Sequence, residues 1–107
     1  MTDISHQSPQ AGIQRLAVQG PLTIYDAQAL KNRLLELLSE VPLQALELDL
    51  AQVPEIDTSG VQWLLLAARE AQRYQASVRT LAASEAVYDT LEFCRLGPVL
   101  GLATTQA

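Results

Sequence analysis

The feature that most constrains the fold is a strand pattern that leads, after a short loop, into a long helix pattern. Residues 45–50 alternate, so that Leu46, Leu48 and Leu50 lie on one face of a predicted strand. This alternation indicates a sheet with one covered face and one partly solvated face. Over residues 58–74 the apolar side chains recur instead at helical spacing.

The same two patterns recur along the rest of the chain. They predict strands at 14–18 and 77–82, a brief strand at 22–25, helices at 26–40 and 84–96, and a short apolar tail at 99–102 that pairs or packs. Strands that alternate with helices favour a single α/β domain, with a mostly parallel mixed sheet and the helices mainly on one face. Residues 1–12 are polar, so we expect a flexible N-terminal arm before a domain at 13–107.

Composition excludes several classes of function. The net charge is -5, the sole lysine is Lys31 and the arginines are scattered, so no basic stripe is present to bind nucleic acid. Cys94 and His6 are the only cysteine and histidine, which argues against a disulfide, a metal cluster and a histidine-activated nucleophile. No apolar run reaches the roughly 20 residues of a membrane-spanning helix. We therefore expect a cytoplasmic protein that is not an enzyme, holds no metal and does not insert into a membrane.

The start of the second long helix carries the candidate functional residues Asp57, Thr58 and Ser59. Backbone N–H groups point outward at a helix N-terminus, and the helix dipole favours negative charge there, so a phosphate on a hydroxyl would be stabilised. The same residue types also serve as ordinary helix caps. Gly60 weakens a helix by up to about 1 kcal/mol relative to Ala. That cost indicates the close approach of another group, such as a partner or a phosphate.

This helix is apolar over much of its surface. Its core-facing stripe is predicted to contain Val61, Leu64, Leu65, Ala68 and Ala71. Leu66 then lies on the opposite side, near Gln62, and Trp63 lies on the flank. Two interpretations stay open: these three residues form a docking patch for a partner, or another element of the same chain covers them.

Three segments carry a resemblance to a known family. They are Leu-Thr-Ile-Tyr-Asp-Ala at residues 22–27, Leu-Glu-Leu-Asp-Leu at 46–50 and Ile-Asp-Thr-Ser-Gly-Val-Gln at 56–62. Together they closely resemble the STAS domain, the module of bacterial anti-sigma factor antagonists and of the C-terminal parts of sulfate transporters. The resemblance continues to residue 97 and covers nearly the whole chain after the N-terminal arm. The Asp-Thr-Ser-Gly stretch is its specific part.

The resemblance implies a regulatory protein that binds other proteins. In the antagonist branch the serine before the glycine, here Ser59, is phosphorylated by an ATP-binding anti-sigma kinase, and the phosphate breaks the complex with that kinase. Thr58 is then an auxiliary or alternative acceptor. The remaining roles expected are a switch loop shaped by Asp49, Asp57 and Gly60, with hydrogen bonds from Asp49 organising the loop, and a contact surface formed by Gln62, Trp63 and Leu66.

With threonine at position 58 and Ile-Tyr-Asp-Ala at residues 24–27, the chain also resembles a second group of stand-alone STAS proteins. These are tied to phospholipid-transport ABC systems or to chemotaxis clusters. In that alternative the chain is a constitutive accessory subunit or adaptor, which docks on an ABC transporter ATPase or a chemotaxis protein and is not phosphorylated. The resemblance implies no cofactor in either case. Weak nucleotide binding through the main-chain N–H groups of residues 58–60 stays open.

Overall fold

The polypeptide forms a four-stranded mixed sheet whose strands lie side by side in sequence order. The computed structural model describes residues 2–39 and 41–102. Its elements are β1 (Asp3–Gln10), β2 (Ile13–Gln19), α1 (Ala27–Leu38), β3 (Ala45–Gln52), α2 (Thr58–Arg73), β4 (Ser77–Ala83), α3 (Glu85–Phe93) and a 3₁₀ helix (Pro98–Leu100). β1 pairs antiparallel with β2, whereas β2 with β3 and β3 with β4 are parallel. The predicted α/β class with a mostly parallel mixed sheet is confirmed.

The core lies on one face of this sheet, beneath the helices. Its buried side chains include Leu16 and Val18 of β2, Leu46, Leu48 and Leu50 of β3, Leu30, Leu34 and Leu38 of α1, Leu64 of α2, and Val87 and Leu91 of α3. Because successive strand side chains point to opposite faces, the Arg15–Glu47 ion pair (2.9 Å) lies on the other face of the sheet. The covered face is the one that the alternation at 45–50 predicts.

The prediction of a flexible arm at residues 1–12 is wrong for residues 3–10, because these residues form strand β1. Ile4 pairs with Val18 and His6 with Leu16, and the hairpin turns through Gly12, whose φ of 84° favours glycine. Ile4 is the only buried side chain of β1. Main-chain hydrogen bonds to β2 therefore hold this edge strand in place. Its side chains are mostly polar, so the sequence shows no alternation of apolar and polar residues from which a strand could be predicted.

The other element boundaries differ less from the prediction. The brief strand at 22–25 is reduced to an isolated bridge between Leu22 and Ile56. The tail at 99–102 packs as expected, since Leu100 is buried and Leu102 bridges to Thr80. None of the helices within residues 2–39 and 41–102 has the length and apolar character that crossing a membrane requires.

Candidate functional site

Asp57 links the first turn of α2 to the segment that precedes α1. Its Oδ1 accepts a hydrogen bond from the Gly60 N–H (3.1 Å), which makes Asp57 the side-chain N-cap of α2. Its Oδ2 accepts from the Ile24 N–H (3.0 Å). The Ile24 N–H, followed by the Gly60 and Ser59 N–H groups, holds the pKa of this carboxyl below its ordinary value, although burial opposes the shift. Asp57 is therefore a fixed negative charge at neutral pH.

Gly60 is required by a close contact within the chain. A Cβ atom added at this position would collide with the backbone oxygen of Leu22, and it would lie 2.7 Å from Cγ1 of Ile56 and 2.8 Å from Cβ of Leu22. Leu22 O also accepts a hydrogen bond from the Asp57 N–H (3.1 Å). The expectation that a partner or a phosphate approaches Gly60 is thus corrected: the bridge between Leu22 and Ile56 occupies that space.

The two hydroxyls at the start of α2 do not cap the helix, because Asp57 already does so. Thr58 is exposed and Ser59 is half-buried. Within the described part of the chain, neither side-chain hydroxyl makes a hydrogen bond. A hydroxyl with no structural hydrogen bond is open to chemical modification without loss of a cap.

A cavity of about 250 Å³ lies between α1 and α2, directly beside Ser59. From α2 it is lined by residues at positions i, i+3, i+4 and i+7 of one helix face, namely Ser59, Gln62, Trp63 and Leu66. From α1 it is lined by Ala27 and Lys31, one helical turn apart. The structure therefore brings four of the residues predicted from the sequence to one cavity, together with a lysine that the sequence analysis did not place in a site.

The core-facing stripe of α2 is rotated from the predicted one. Its buried members are Gly60, Trp63, Leu64, Ala67 and Ala71. Trp63 is only 4% exposed, and Leu66 is half-buried against the core. Of the two interpretations, the second holds for Trp63 and for much of Leu66, because the chain itself covers them. The close contact at Gly60 explains the rotation, because it turns the Gly60–Leu64 side of the helix towards the sheet.

Asp49 lies away from the start of α2, which corrects its predicted role in the switch loop. Its Oδ1 accepts a hydrogen bond from the Ala51 N–H (3.1 Å), two residues along the same strand. The side chain borders a surface groove with Arg15 and Ala17 on the face of the sheet opposite the core. The hydrogen bonds that organise the loop come from Asp57 instead.

Two exposed apolar side chains adjoin this site and were not predicted as site residues. Ile24 is 65% exposed and Tyr25 is 93% exposed. The hydrogen bond from the Ile24 N–H to Asp57 places this pair next to the first turn of α2. Ile24 and Tyr25 are adjacent in the chain, and adjacent exposed apolar side chains can contribute to a contact surface. The signal in the sequence was an Ile-Tyr pair directly before Asp26, the residue that precedes α1.

The sheet order, the one-sided helices and the Asp-Thr-Ser-Gly turn at the start of α2 define a STAS-type domain. The chain belongs to the family described as "Mlab, STAS domain", whose model matches residues 6–101. No curated protein matches the chain in sequence.

Solved structures of three proteins illustrate how widely this fold is shared. An anti-sigma factor antagonist from Mycobacterium paratuberculosis has a TM-score of 0.81 at 18% identity, over 98% of this chain and 87% of that chain. The Bacillus cell fate determinant SpoIIAA in its phosphorylated form has a TM-score of 0.71 at 17% identity, over 95% and 92%. A sulfate transporter family protein from Wolinella succinogenes has a TM-score of 0.67 at 23% identity, over 89% and 76%. These similarities establish the fold.

Proposed function

We propose that this chain is a non-catalytic regulatory module that binds a protein partner, and that phosphorylation of Ser59 switches the contact. The binding surface is the start of α2, with the exposed pair Ile24–Tyr25 and the rim of the cavity between α1 and α2. The partner is an ATP-binding kinase of the anti-sigma type. Thr58 is the auxiliary acceptor.

The observation that carries this proposal is that Asp57, and not Ser59, caps the start of α2. Asp57 supplies the cap, which leaves the Ser59 hydroxyl beside the cavity with no hydrogen bond to another described residue. A serine retained only as a cap would accept from a backbone N–H, as Ser84 does from the Val87 N–H (3.2 Å) at the start of α3. Ser59 is therefore available for a reaction that Ser84 is not.

The chemistry of the switch is ordinary phosphoryl transfer performed by the partner. The Ser59 Oγ forms a bond to the γ-phosphorus of ATP, the bond from that phosphorus to the β-phosphate oxygen breaks, and ADP leaves. A base on the kinase takes the hydroxyl proton. The product carries up to two negative charges near ionised Asp57 and beside the apolar surface of Ile24 and Tyr25. Like charges and the cost of desolvating the phosphate both oppose partner binding.

Co-purification from the source cells tests this proposal. Tagged wild type is compared with Ser59→Asp and with Ser59→Ala, and the recovered proteins are identified by mass spectrometry. Ser77→Asp is the matched control, because Ser77 is exposed and lies at the opposite end of the sheet, paired with Ala45. We expect an ATP-binding kinase with wild type, Ser59→Ala and Ser77→Asp, but not with Ser59→Asp. Equal recovery with all four would refute the switch.

A second function has an observation of its own in its favour. The matching family model is described as "Mlab, STAS domain", and Thr58, which contributes to the resemblance to stand-alone STAS proteins of phospholipid-transport systems, is exposed. In this alternative the chain is a constitutive accessory subunit that docks on an ABC transporter ATPase, or an adaptor of a chemotaxis protein. The contact is made through the same surface at the start of α2.

The same co-purification separates the two functions when Thr58→Ala is added. A constitutive subunit retains its ATPase or chemotaxis protein in Ser59→Asp and loses it in Thr58→Ala, because the threonine makes the contact. A phosphorylation switch gives the opposite result: Ser59→Asp loses the partner and Thr58→Ala retains it, since Thr58 is then only the auxiliary acceptor.

A further inference from the structure

We infer that Lys31 binds the phosphoryl group on Ser59, so that phosphorylation closes the cavity between α1 and α2 with an internal ion pair. This inference rests on the proposed phosphorylation of Ser59, and it names Lys31 as the side chain that binds the phosphate. The sequence analysis gave Lys31 no role.

The first observation is the position and the freedom of Lys31. It lines the cavity from α1, while Ser59 lines the same cavity from α2. Lys31 is exposed and makes no ion pair with any residue that the structure describes, in contrast to Arg33 on the same helix, which pairs with Glu36 at 3.2 Å. A lysine ammonium has three donors on a flexible stem and binds phosphate as a point charge. Among the described residues, Lys31 is therefore free to pair with a phosphate on Ser59.

The second observation is an aromatic side chain on the same cavity wall. Trp63 lines the cavity and is only 4% exposed, and its indole Nε1–H has no acceptor among residues 2–39 and 41–102. Trp63 follows Ser59 by four residues, which makes the two side chains neighbours on one helix face. A phosphoryl group on Ser59 would therefore lie next to the Trp63 side chain, which makes the indole a reporter of the phosphate position.

The consequence is that the phosphate does more than add charge to the surface. A phosphoryl group held by Lys31 lies across the space between the two helices, where the rim residues Gln62 and Leu66 would otherwise meet a partner. The switch then acts by filling the cavity as well as by repulsion. A partner side chain and the phosphate compete for one site.

The test uses the 107-residue chain with phosphoserine installed at position 59 during translation, so no kinase or partner is needed. Phosphorus NMR measures the second pKa of the phosphate in three backgrounds: wild type, Lys31→Gln and Arg33→Gln. Free phosphoserine titrates near pH 6. We expect the pKa in wild type to lie about half a unit or more below that in Lys31→Gln, and Arg33→Gln to match wild type. Asp57 and Asp26, which precede α2 and α1, are unchanged in all three backgrounds, so the comparison isolates Lys31.

A second readout in the same samples is the indole N–H resonance of Trp63, the only tryptophan in the chain. We expect this resonance to move on phosphorylation in wild type and to move less in Lys31→Gln. Equal phosphate pKa values in wild type and Lys31→Gln would overturn the inference. The inference would also be overturned if Arg33→Gln changed the phosphate pKa as much as Lys31→Gln does. Inorganic phosphate titrated into unmodified protein is expected to give no saturable Lys31-dependent shift; such a shift would reassign the cavity to a free anion.

Failure of this inference and failure of the proposed function are distinguishable. If the phosphate releases the partner equally in wild type and Lys31→Gln, and the pKa values agree, the switch stands and the Lys31 contact does not. If the pKa values differ but the partner binds both phosphorylated and unmodified protein, the contact stands and the regulatory role of Ser59 does not.

Discussion

Gly60→Ala tests the packing that positions the site, because the sign of its effect depends on one contact. In an unobstructed helix this change would stabilise the protein by up to about 1 kcal/mol. Here the new methyl group meets the Leu22 backbone oxygen and lies 2.7 Å from Cγ1 of Ile56. Overpacking of this kind costs about 1–3 kcal/mol. Moving Leu22 away also weakens its hydrogen bond from the Asp57 N–H, which contributes about another 1 kcal/mol.

The steric and hydrogen-bond losses exceed the helix gain, so we expect a net destabilisation of about 1–3 kcal/mol. For a chain of this size the corresponding fall in Tm is about 5–15 °C. Urea unfolding at pH 7, followed by circular dichroism, measures the free energy. Gly97→Ala is the matched control, because Gly97 is buried, its φ is −52°, and an added Cβ would lie 3.8 Å from its nearest neighbours. The reasoning is refuted if Gly60→Ala is as stable as wild type or more stable.

Three further predictions concern the same helix. Trp63→Ala should cost about 3–5 kcal/mol in urea unfolding because the indole is core, whereas a loss under 1 kcal/mol would place it at the surface. Leu66→Ala should keep the fold and cost about 1–2 kcal/mol, since the side chain is only half-buried; a loss of 4 kcal/mol or more would make it fully core. Folding lowers the pKa of Asp57, so its carboxylate contributes stability that is present above the unfolded-state value of about 3.9 and is lost as pH falls through the lower folded value. The stability difference between wild type and Asp57→Asn should therefore shrink below about pH 4, and a difference constant from pH 7 to pH 3 would contradict the hydrogen-bond assignment.

The architecture was predictable because it follows from local periodicity. Leu46, Leu48 and Leu50 alternate, and the three helices carry apolar side chains at helical spacing, so element type and order could be obtained from the sequence. Strand β1 could not, because its pairing depends on main-chain hydrogen bonds to β2 and only Ile4 enters the core. Polar edge strands carry no burial signal.

The rotation of α2 was beyond sequence reasoning for a different reason. Val61, Trp63, Leu64, Leu65 and Leu66 are all apolar, so several rotations of the helix place a continuous apolar stripe on the sheet. The choice among them is made by a contact distant in sequence, between Gly60 and Leu22. Lys31 was missed for the same reason, because only the packing of α1 against α2 brings it beside Ser59.

The central claim is that phosphate on Ser59 releases a partner from the start of α2. Its most direct measurement is the Kd of the co-purified partner for unmodified protein, for protein carrying phosphoserine at 59, and for the latter after phosphatase treatment. We predict at least tenfold weaker binding with the phosphate, which is about 1.4 kcal/mol, and full recovery when the phosphatase removes it. Equal Kd values in all three samples would contradict the claim and leave the chain as a constitutive binding subunit.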